Sequence, residues 1–563
     1  MKKTFLLVIV CIFFSVCGYS QLSTNQNPRS FSIKDLDLSN INTIKMAEPN
    51  LDYFIEEDRT NDTMFNKIRR SSLIIPIKED FFEKATHLQT SDADIYFVKI
   101  NIPNAQALNL YSNNFYIPKG GEMYIYNDDY SKVIGGFTSL NNHSSGMFAS
   151  DYVYGDNMII EYYQPKAIKE KAKIELSEVS YFYRDIENYK SLTKNSEEYG
   201  SSGSCEVNVN CSEGDNYRNQ QRGVCRIYLR VSYYQGGWCS GTLINNTARD
   251  KKPYVISAAH CIEDVSNTSY YNQFVFYFNY ETSGCSNPAT EPTTTNTLTG
   301  CSVKAYDNTF ASGGSDFWLM LLNNNVPDSY RPYYCGWSRS QIASTNGVGI
   351  HHPAGDVKKI STYTTSLVSS QYQTTAQTHW KAVWAQTTNG YGVTEGGSSG
   401  SALFNNEGLI VGTLTGGASS CSAATSAKND LYGKFSYHWN SNGTATERQI
   451  ATFLDPTNSG VTTLSGMDYT DTTPTSSIAN VNQDINSLIV YPNPAKDYFT
   501  LSINNNNNAT INIIDYSGRI IYSTILPKNQ NTIKINTNNI EKGVYIVNVI
   551  SGDNTFSKKL VIE

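Results

Sequence analysis

Residues 397 to 401 form the first segment whose residue types could do chemistry. They read Gly397-Ser398-Ser399-Gly400-Ser401, and such small residues let a chain turn sharply, so that two backbone N–H groups can point at one position. Ser399 would then be a nucleophile, and the amides of Gly397 and Ser399 would stabilise an oxyanion. A Gly/Ser-rich surface turn explains the same residues equally well when they are taken alone.

A serine nucleophile needs a base, and His260 lies in a context that suits this role. It stands in the run 255–261, VISAAHC, in which an apolar strand ends in small residues and a cysteine follows the histidine. The structural alternative is a core histidine, but the surrounding run favours a general base. A disulfide from Cys239 to Cys261 would close a loop of about twenty residues, worth roughly 3 kcal/mol in the chain-entropy model, and would hold the base in place.

The base needs a carboxylate to orient it, and Asp316 is the first candidate. It stands at the start of the fully apolar run 317–322, FWLMLL, which indicates a buried strand. An ordinary aspartate at a strand start is the alternative, and Asp307 is a competitor that precedes no comparable run. The chain order His260, Asp316, Ser399 differs from the orders used by subtilisin and by the α/β-hydrolases.

The composition predicts a mostly β protein of several domains that is exported. The chain has 563 residues, 40 Tyr, 23 Phe and only 17% charged residues, which suits short strands better than long helices. A net charge of -7 gives no basic surface for nucleic acid or an anionic membrane. Nine of the 11 cysteines lie between Cys205 and Cys421 with no Cys-x-x-Cys pair, so disulfides are favoured over zinc.

The order of segments along the chain predicts five parts. Residues 1–20 have the basic start and short apolar run of a signal peptide; a lipoprotein signal using Cys17 is the alternative. Residues 21–199 form a cysteine-free, β-rich region with a helix-compatible, charged piece from Ala167 to Glu178, 200–465 hold all mature cysteines and tryptophans, 466–486 are a linker, and 487–563 are a small β-sandwich. No later apolar run is long enough to cross a membrane.

The residues around the three candidates resemble those of trypsin-like proteases, and in particular the bacterial lysyl endopeptidases. The match covers about 265 residues and includes the segments GSC at 203–205, CSEGD at 211–215, CSGTLINNTA at 239–248, IHHP at 350–353, GVTE at 392–395 and LTGGASSC at 414–421. This resemblance implies a double β-barrel protease domain with the triad His260, Asp316 and Ser399. It implies no cofactor and no metal, and a structural role for the pair His351-His352.

The resemblance also implies the disulfides and the substrate pocket. Carried over by position, the bridges join Cys205 to Cys421, Cys211 to Cys285 and Cys239 to Cys261. Cys301 with Cys335 is our expectation for a fourth bridge, which would leave Cys225 free.

The pocket carboxylate of the family falls on Asp430, at the position that would select a lysine ammonium. Glu395 would assist at the rim, and Thr415, Gly416 and Gly417 would line the substrate. Asp430 as a solvated loop residue is the alternative. Thr415 stands where the family has His, which weakens the case for Lys over Arg.

The terminal regions complete the expected organisation. The β-rich region before the protease domain resembles the family's propeptide and predicts a zymogen, with Lys194 placed for self-cleavage. The tail, opened by VYPNP at 490–494 and closed by KKLVI at 558–562, resembles the type IX secretion sorting domain; a carbohydrate-binding module is the alternative. The sequence thus predicts a secreted or surface enzyme, exported through the periplasm and the outer-membrane secretion machinery and monomeric when mature. It would cut peptides after lysine. Arg or mixed basic specificity, and a non-catalytic adhesin on a protease scaffold, are the rival hypotheses.

Overall fold

The computed structural model describes residues 26–184, 186, 201–472 and 488–563, with gaps at 35, 39, 63–67, 233, 288–290, 293–295, 308, 310–311, 504–507, 516–517 and 552–553. The chain divides into two compact units, of which the first comprises residues 1–456 and 464–473 and the second residues 457–463 and 474–563. Strands dominate both units, and the prediction of a mostly β fold is confirmed. Within the described residues no helix is long and apolar enough to cross a membrane.

Within the residues that the structure describes, the N-terminal region of the first unit contains eleven strands and two α-helices. One sheet has the order β1-β4-β10-β7-β8, and β2, β11, β5 and β9 belong to a second sheet. Their facing apolar side chains form one core around Val98, Leu108 and Ile125. The elements are β1 (Thr43–Lys45), α1 (Asp52–Asn61), β2 (Arg70–Asp80), α2 (Phe81–Lys84), β3 (Thr86–Gln89), β4 (Ala93–Asn101), β5 (Ala107–Ser112), β6 (Phe115–Tyr116), β7 (Glu122–Tyr126), β8 (Val133–Phe137), β9 (Phe148–Tyr154), β10 (Asn157–Pro165) and β11 (Lys173–Phe182).

One expectation for this region is wrong. The charged piece from Ala167 to Glu178 is helix-compatible in sequence, but its second half is the start of β11, which pairs with β2 and β5. Ile174 and Leu176 are buried by that pairing while Lys173 stays exposed. Tertiary burial of alternate residues has therefore overridden a local preference.

Six strands close the first barrel of the central region, in the order β15-β12-β13-β14-β18-β17. Strand β16 pairs with β15, and the next strand, β17, pairs with β18. The segment formed by β16 and β17 therefore joins the two ends of that order. The apolar run that the sequence predicted as a buried strand is β18. The elements are α3 (Arg218–Gln221), β12 (Val224–Arg230), β13 (Gly236–Leu243), β14 (Tyr254–Ser257), α4 (His260–Glu263), β15 (Val275–Phe278), β16 (Thr297–Thr299), β17 (Cys301–Tyr306) and β18 (Trp318–Leu322).

The second barrel has the strand order β22-β21-β25-β26-β27-β24. A hydrogen bond of 2.8 Å from the Ala385 N–H to the Thr362 carbonyl, just beyond β24, joins its ends. Its core contains Trp380, Trp384 and Tyr432. The elements are β19 (Tyr333–Tyr334), β20 (Trp337–Ser338), β21 (Gly347–His351), β22 (Lys359–Tyr363), β23 (Val368–Ser370), β24 (His379–Val383), β25 (Ala402–Asn405), β26 (Ile410–Gly417), β27 (Asn429–Lys434), α5 (Phe435–Asn440), α6 (Ala451–Leu454), β28 (Thr463–Leu464) and β29 (Met467–Asp468).

The N-terminal region and the first barrel share an aromatic core. Strand β2 pairs with β13, so that one continuous sheet runs through both. Trp238, Tyr228 and Phe182 pack there in one cluster. The guanidinium of the fully buried Arg226 lies 4.3 Å from the Trp238 ring centre and 3.8 Å from that of Tyr280, a cation–π arrangement that offsets part of its burial cost.

The second unit contains a C-terminal pair of sheets, β30-β31-β34 and β33-β32-β35-β36. Alternate residues of β31 and β32 face inward, and Phe499, Leu501, Ile511 and Ile513 are fully buried. The strands are β30 (Leu488–Tyr491), β31 (Tyr498–Ile503), β32 (Ala509–Ile514), β33 (Ile520–Leu526), β34 (Thr532–Asn536), β35 (Gly543–Ser551) and β36 (Asn554–Ile562).

Candidate active site

His260 is held at the point where strand β14 turns into the short helix α4. Ala258 and Ala259 are buried between them, and their small side chains let the chain turn against the barrel. The next residue, Cys261, is bridged to Cys239 of β13. The backbone at His260 is therefore held on one side by the buried alanines and on the other by the disulfide of Cys261.

Asp316 holds the imidazole from the segment that leads into β18 of the same barrel. Its Oδ2 lies 2.8 Å from His260 Nδ1, and its Oδ1 accepts the His260 backbone N–H at 2.9 Å. Burial raises the pKa of Asp316, but the attraction and hydrogen bonds of His260, with a hydrogen bond from the Thr415 hydroxyl, outweigh it, so the pKa is lowered overall. The carboxylate is thus kept charged beside the ring.

The backbone of Asp316 is unusual, and Asp307 explains how it is maintained. Asp316 has a φ of 61°, in the left-handed region that few non-glycine residues adopt. Its N–H donates to the Asp307 carboxylate at 2.9 Å. A Cβ on Gly314 would lie 1.9 Å from Asp307 Oδ2, so a glycine is required there. Asp307, the competitor in the sequence, supports the backbone of Asp316.

The loop that carries Ser399 docks on β13 beside these residues. The Ser240 N–H donates to the Ser399 carbonyl at 2.9 Å, and the Ser240 hydroxyl donates to the Gly397 carbonyl at 2.9 Å. Ser240 directly follows Cys239, which is bridged to the neighbour of His260. Two adjacent residues of β13 therefore hold both parts: Cys239 is bridged to the neighbour of His260, and Ser240 is hydrogen-bonded to the Ser399 loop. Ser399 itself remains partly exposed.

Two amides of this loop are available for a ligand. Gly397 has a φ of 97°, and a Cβ there would lie 2.9 Å from the Gly355 nitrogen, so only glycine fits without strain. Within the described part of the chain, the N–H groups of Gly397 and Ser399 donate to no backbone carbonyl. Such free amides can bind a developing negative charge.

A second histidine lies behind the His260–Asp316 pair, and no motif in the sequence points to it. His379, at the start of β24, has its Nε2 3.0 Å from the Thr415 hydroxyl oxygen and its Nδ1 2.7 Å from that of Thr378. Burial lowers the pKa of His379 to about 4, so the ring is neutral near pH 7. His379 and Thr415 therefore form a buried hydrogen-bonded pair, and Thr415 is among the groups that lower the pKa of Asp316.

Asp430 is the second residue of β27 and lies buried in the second barrel. Its Oδ2 accepts hydrogen bonds from Trp384 Nε1 at 2.5 Å, the Thr394 hydroxyl at 2.8 Å and the Ser419 hydroxyl at 2.5 Å. Only 1% of the residue is exposed. Burial raises the pKa of Asp430, and these donors oppose the rise. It is therefore not the solvated loop residue of the alternative interpretation.

The strand segment opposite Asp430 is made of glycines. Gly416 pairs with Leu431 and Gly417 with Asp430 across β26 and β27. A Cβ on Gly417 would lie 2.2 Å from Asp430 Oδ1, so a larger residue would obstruct the carboxylate. Val393, which directly precedes Thr394, is fully buried in the same barrel.

Glu395 occupies a different place from Asp430. Its two carboxylate oxygens lie 3.1 and 3.2 Å from the Gly203 N–H, and burial raises its pKa. It is thereby tied to the start of the central region, next to the bridge from Cys205 to Cys421.

The histidine pair at 351–352 is buried in polar contacts. His351 lies between the Ser398 and Ser361 hydroxyls at 2.8 and 2.9 Å, and His352 Nδ1 lies 2.9 Å from the Asp356 carbonyl oxygen. Among the described residues, no group of three or more His, Cys, Asp or Glu side chains is placed to hold a metal ion.

Three disulfides link Cys205 to Cys421, Cys211 to Cys285 and Cys239 to Cys261, the pairings that the resemblance implies.

The expected fourth bridge, Cys301 to Cys335, is wrong. Both residues are free and buried, as is Cys225. Cys301 starts β17 opposite Leu322, while Cys335 Sγ lies 3.8 Å from the Gln220 carbonyl oxygen. Burial raises the pKa of all three thiols, which makes them unreactive.

Comparison with known proteins bears on both units. Residues 199–433 match the family model of the lysyl endopeptidase C-terminal domain. Residues 489–563 match the secretion system C-terminal sorting domain. The resemblances expected from the sequence are confirmed over these two segments, and the second match supports export to the medium or the cell surface.

The relatives cover the chain only in part. A lysyl endopeptidase of Pseudomonas aeruginosa is 32% identical over 298 residues, 51% of this chain and 60% of the relative; the chain thus spans about three fifths of that curated protein. An endo-acting ulvan lyase of Formosa agariphila is 33% identical over 115 residues, 19% of this chain and 22% of the lyase. A solved Glu endopeptidase in complex with MPD is 14% identical, with a TM-score of 0.25 over 41% of this chain and 92% of the endopeptidase.

Proposed function

We propose that this protein is a secreted serine endopeptidase that hydrolyses peptide bonds after lysine. The observation that carries the proposal is the buried pair of His260 Nδ1 and Asp316 Oδ2, which lie 2.8 Å apart. Cys239, bridged to the neighbour of His260, is followed by Ser240, whose N–H binds the Ser399 carbonyl. An imidazole held by a carboxylate beside a serine on a glycine-rich turn is the arrangement that acyl transfer requires. The lysyl endopeptidase matches support the same reaction.

Each residue has a defined role in this proposal. His260 takes the hydroxyl proton of Ser399 as the oxygen attacks the substrate carbonyl, and then gives it to the leaving amine. Asp316 fixes the ring and stabilises the imidazolium that forms. The amides of Gly397 and Ser399 bind the oxyanion of the tetrahedral intermediate. Water then hydrolyses the acyl-enzyme by the reverse sequence of proton transfers.

Lysine selection is assigned to Asp430. Its carboxylate is buried and accepts hydrogen bonds from the uncharged side chains of Trp384, Thr394 and Ser419 and from the Ser419 N–H, and none of these partners is basic. An ammonium that enters this site gains a charge pair in a medium of low polarity, whereas a neutral side chain does not. The glycines at 416 and 417 leave the approach to it open, with Thr415 and Glu395 as further candidate contacts.

The flanking regions are assigned to export and processing. Residues 1–20 are proposed as a signal peptide that leads into the periplasm, 21–199 as a propeptide of a zymogen and 200–465 as the protease domain. Residues 466–486 are proposed as a linker, although its first residues pair with the central region as β29, and 487–563 as the sorting domain that the outer-membrane machinery recognises. Lys194, the proposed site of maturation, lies outside the described residues. The mature enzyme is proposed to act as a monomer on protein or peptide substrates.

The decisive experiment is digestion of a mixed peptide library by the purified protein and by Ser399→Ala. We expect the parent protein to generate new C-termini at lysine and the variant to generate none above background. Equal cleavage by both proteins would contradict the assignment of Ser399. Cleavage after arginine as often as after lysine would replace lysine specificity with mixed basic specificity.

A further inference from the structure

The two residues that lead into β18 are held by side chains. The paired residues of β18 begin at Trp318, so Ser315 and Asp316 lie before the sheet. Their backbone N–H groups donate to side-chain oxygens, of Asn442 at 3.2 Å and of Asp307 at 2.9 Å, respectively. Because Asp316 has a φ of 61°, a strained conformation, its backbone depends on these surroundings to stay in place.

His438 of helix α5 joins this segment to the second barrel. Its Nδ1 lies 2.8 Å from the Ser315 hydroxyl oxygen, and its Nε2 lies 3.0 Å from the hydroxyl oxygen of Thr413 in β26. The Thr413 hydroxyl in turn donates to the Asp316 carbonyl oxygen at 3.5 Å. His438 therefore links the segment before β18 to the barrel that also carries the loop of Ser399.

The ring of His438 suits a position between two hydroxyl groups. The residue is fully buried, and this burial lowers its pKa to about 3, so that the ring is neutral near pH 7. A neutral imidazole has one nitrogen that donates and one that accepts, and each can bind one hydroxyl. The Ser315 hydroxyl also accepts a hydrogen bond from Asn442 Nδ2 at 2.8 Å.

The packing around His438 leaves little room for movement. A Cβ on Gly433 of β27 would lie 1.8 Å from the Ser315 carbonyl oxygen and 2.7 Å from His438 Cε1. The ring centre of Phe317, on the other side of Asp316 in the sequence, lies 5.1 Å from that of His438. The segment is therefore in close contact with α5 and β27 as well as hydrogen-bonded to His438.

The contacts of Asp316 with His260 depend on this backbone. The Asp316 carboxylate meets both His260 Nδ1, at 2.8 Å, and the His260 N–H, at 2.9 Å, and a displaced backbone would lengthen both contacts. We propose that His438 is a positioning residue, which holds the backbone of Asp316 so that the carboxylate stays on His260. This inference rests on the proposed function and adds to it a residue that acts through Ser315 and Thr413.

The test compares steady-state hydrolysis of a lysyl peptide by the purified parent protein and by His438→Phe, in preparations shown by sequencing to have the same N-terminus. Phenylalanine keeps an aromatic ring in the buried site and removes both hydrogen bonds. We expect kcat to fall about 100-fold, the loss that a misplacement of about 1 Å can cause, with KM unchanged within about threefold. The acid limb of the kcat/KM profile should move to lower pH by about one unit, because the imidazolium of His260 loses part of its stabilisation by Asp316.

Three other variants separate positioning from folding. His438→Gln again offers a donor and an acceptor, and we expect its kcat to stay within about tenfold of the parent value. Thr413→Val removes only the hydroxyl at Nε2 and should lower kcat about tenfold; it decides the question if His438→Phe does not fold. The control is Tyr363→Phe, which removes a buried hydrogen bond of 3.1 Å to the Phe404 carbonyl oxygen elsewhere in the second barrel. It should lower the Tm and leave kcat and the pH profile unchanged.

The possible results distinguish the inference from the proposed function. If His438→Phe, or Thr413→Val where only that variant folds, keeps kcat within about threefold, the inference is wrong and the proposed function stands. The inference is also wrong if the loss lies only in KM, if the acid limb does not move, if His438→Gln is as slow as His438→Phe, or if Tyr363→Phe loses as much kcat. If the parent protein hydrolyses no peptide, or Ser399→Ala is as active as the parent, the proposed function and the inference are both wrong.

Discussion

Replacement of the Asp430 carboxylate tests lysine selection most directly. Asp430→Asn removes one charge and keeps the size of the side chain. A charge pair at about 4 Å with an effective dielectric constant of about 20 is worth about 4 kcal/mol, which corresponds to roughly 1000-fold in kcat/KM. We expect a loss of that order for a lysyl peptide, while the matching norleucine peptide, which lacks the ammonium, should change little.

Asp430→Asn also changes the stability of the fold, and comparison of the lysyl and norleucine peptides separates that effect from the loss of charge. Three donors point at one carboxylate oxygen of Asp430, and an amide NH2 turned toward them would cost about 1–3 kcal/mol of folding free energy. Thermal unfolding measures that cost, and it affects both peptides equally. The ratio of the two kcat/KM values isolates the charge.

The pH dependence of the same ratio supplies a second measurement. Burial raises the pKa of Asp430, so the carboxylate is protonated at a higher pH than an exposed aspartate. The preference for lysine over norleucine should therefore fall as the pH drops through this raised pKa, and it should do so at a higher pH than for an exposed aspartate. If Asp430→Asn keeps the lysine-to-norleucine ratio of the parent protein within about threefold, Asp430 is not the selecting carboxylate.

Three further changes probe the catalytic machinery. His379→Ala should lower kcat by about tenfold or more with little change in KM, because Thr415, which helps to keep Asp316 charged, loses its hydrogen-bond partner; unchanged kcat in steady-state assays would remove His379 from the machinery. Gly397→Ala should lower kcat about 100-fold, because a φ of 97° and contacts near 3 Å displace the oxyanion amides, and a purely KM effect would argue against that role. The double change of Cys239 and Cys261 to Ser should lower the free energy of unfolding in urea by about 3 kcal/mol, and an unaltered midpoint would show that the bridge adds nothing.

The sequence predicted the proposed active site through local patterns. The run VISAAHC and the run FWLMLL indicated a strand end and a buried strand, and these are β14 and β18, which lie side by side. Local patterns of this kind are readable because a buried strand needs a continuous apolar run. The glycines at 397 and 400 could also be recognised in the sequence, because the positive φ values at these positions favour glycine.

Other features depended on contacts between residues far apart in the chain. The stretch Ala167 to Glu178 carries charges that suit a helix, yet pairing with β2 and β5 makes its second half a strand. Cys301 and Cys335 were expected to pair as two of the three cysteines left after the implied bridges, a choice that nothing in their spacing decides, but the fold places them among different neighbours. His379 has no motif around it, and only the pairing of β24 with β27 brings it to Thr415.

The sequence by itself determined the candidate nucleophile, base and carboxylate and the β character of the chain. Each of these is carried by residue type and spacing over a few positions. Tertiary structure alone decided that Asp307 supports the backbone of Asp316 and that Asp430 is buried among donors from Trp384, Thr394 and Ser419. These facts depend on which distant segments share a core, and burial and hydrogen bonding between such segments leave no local pattern in the sequence.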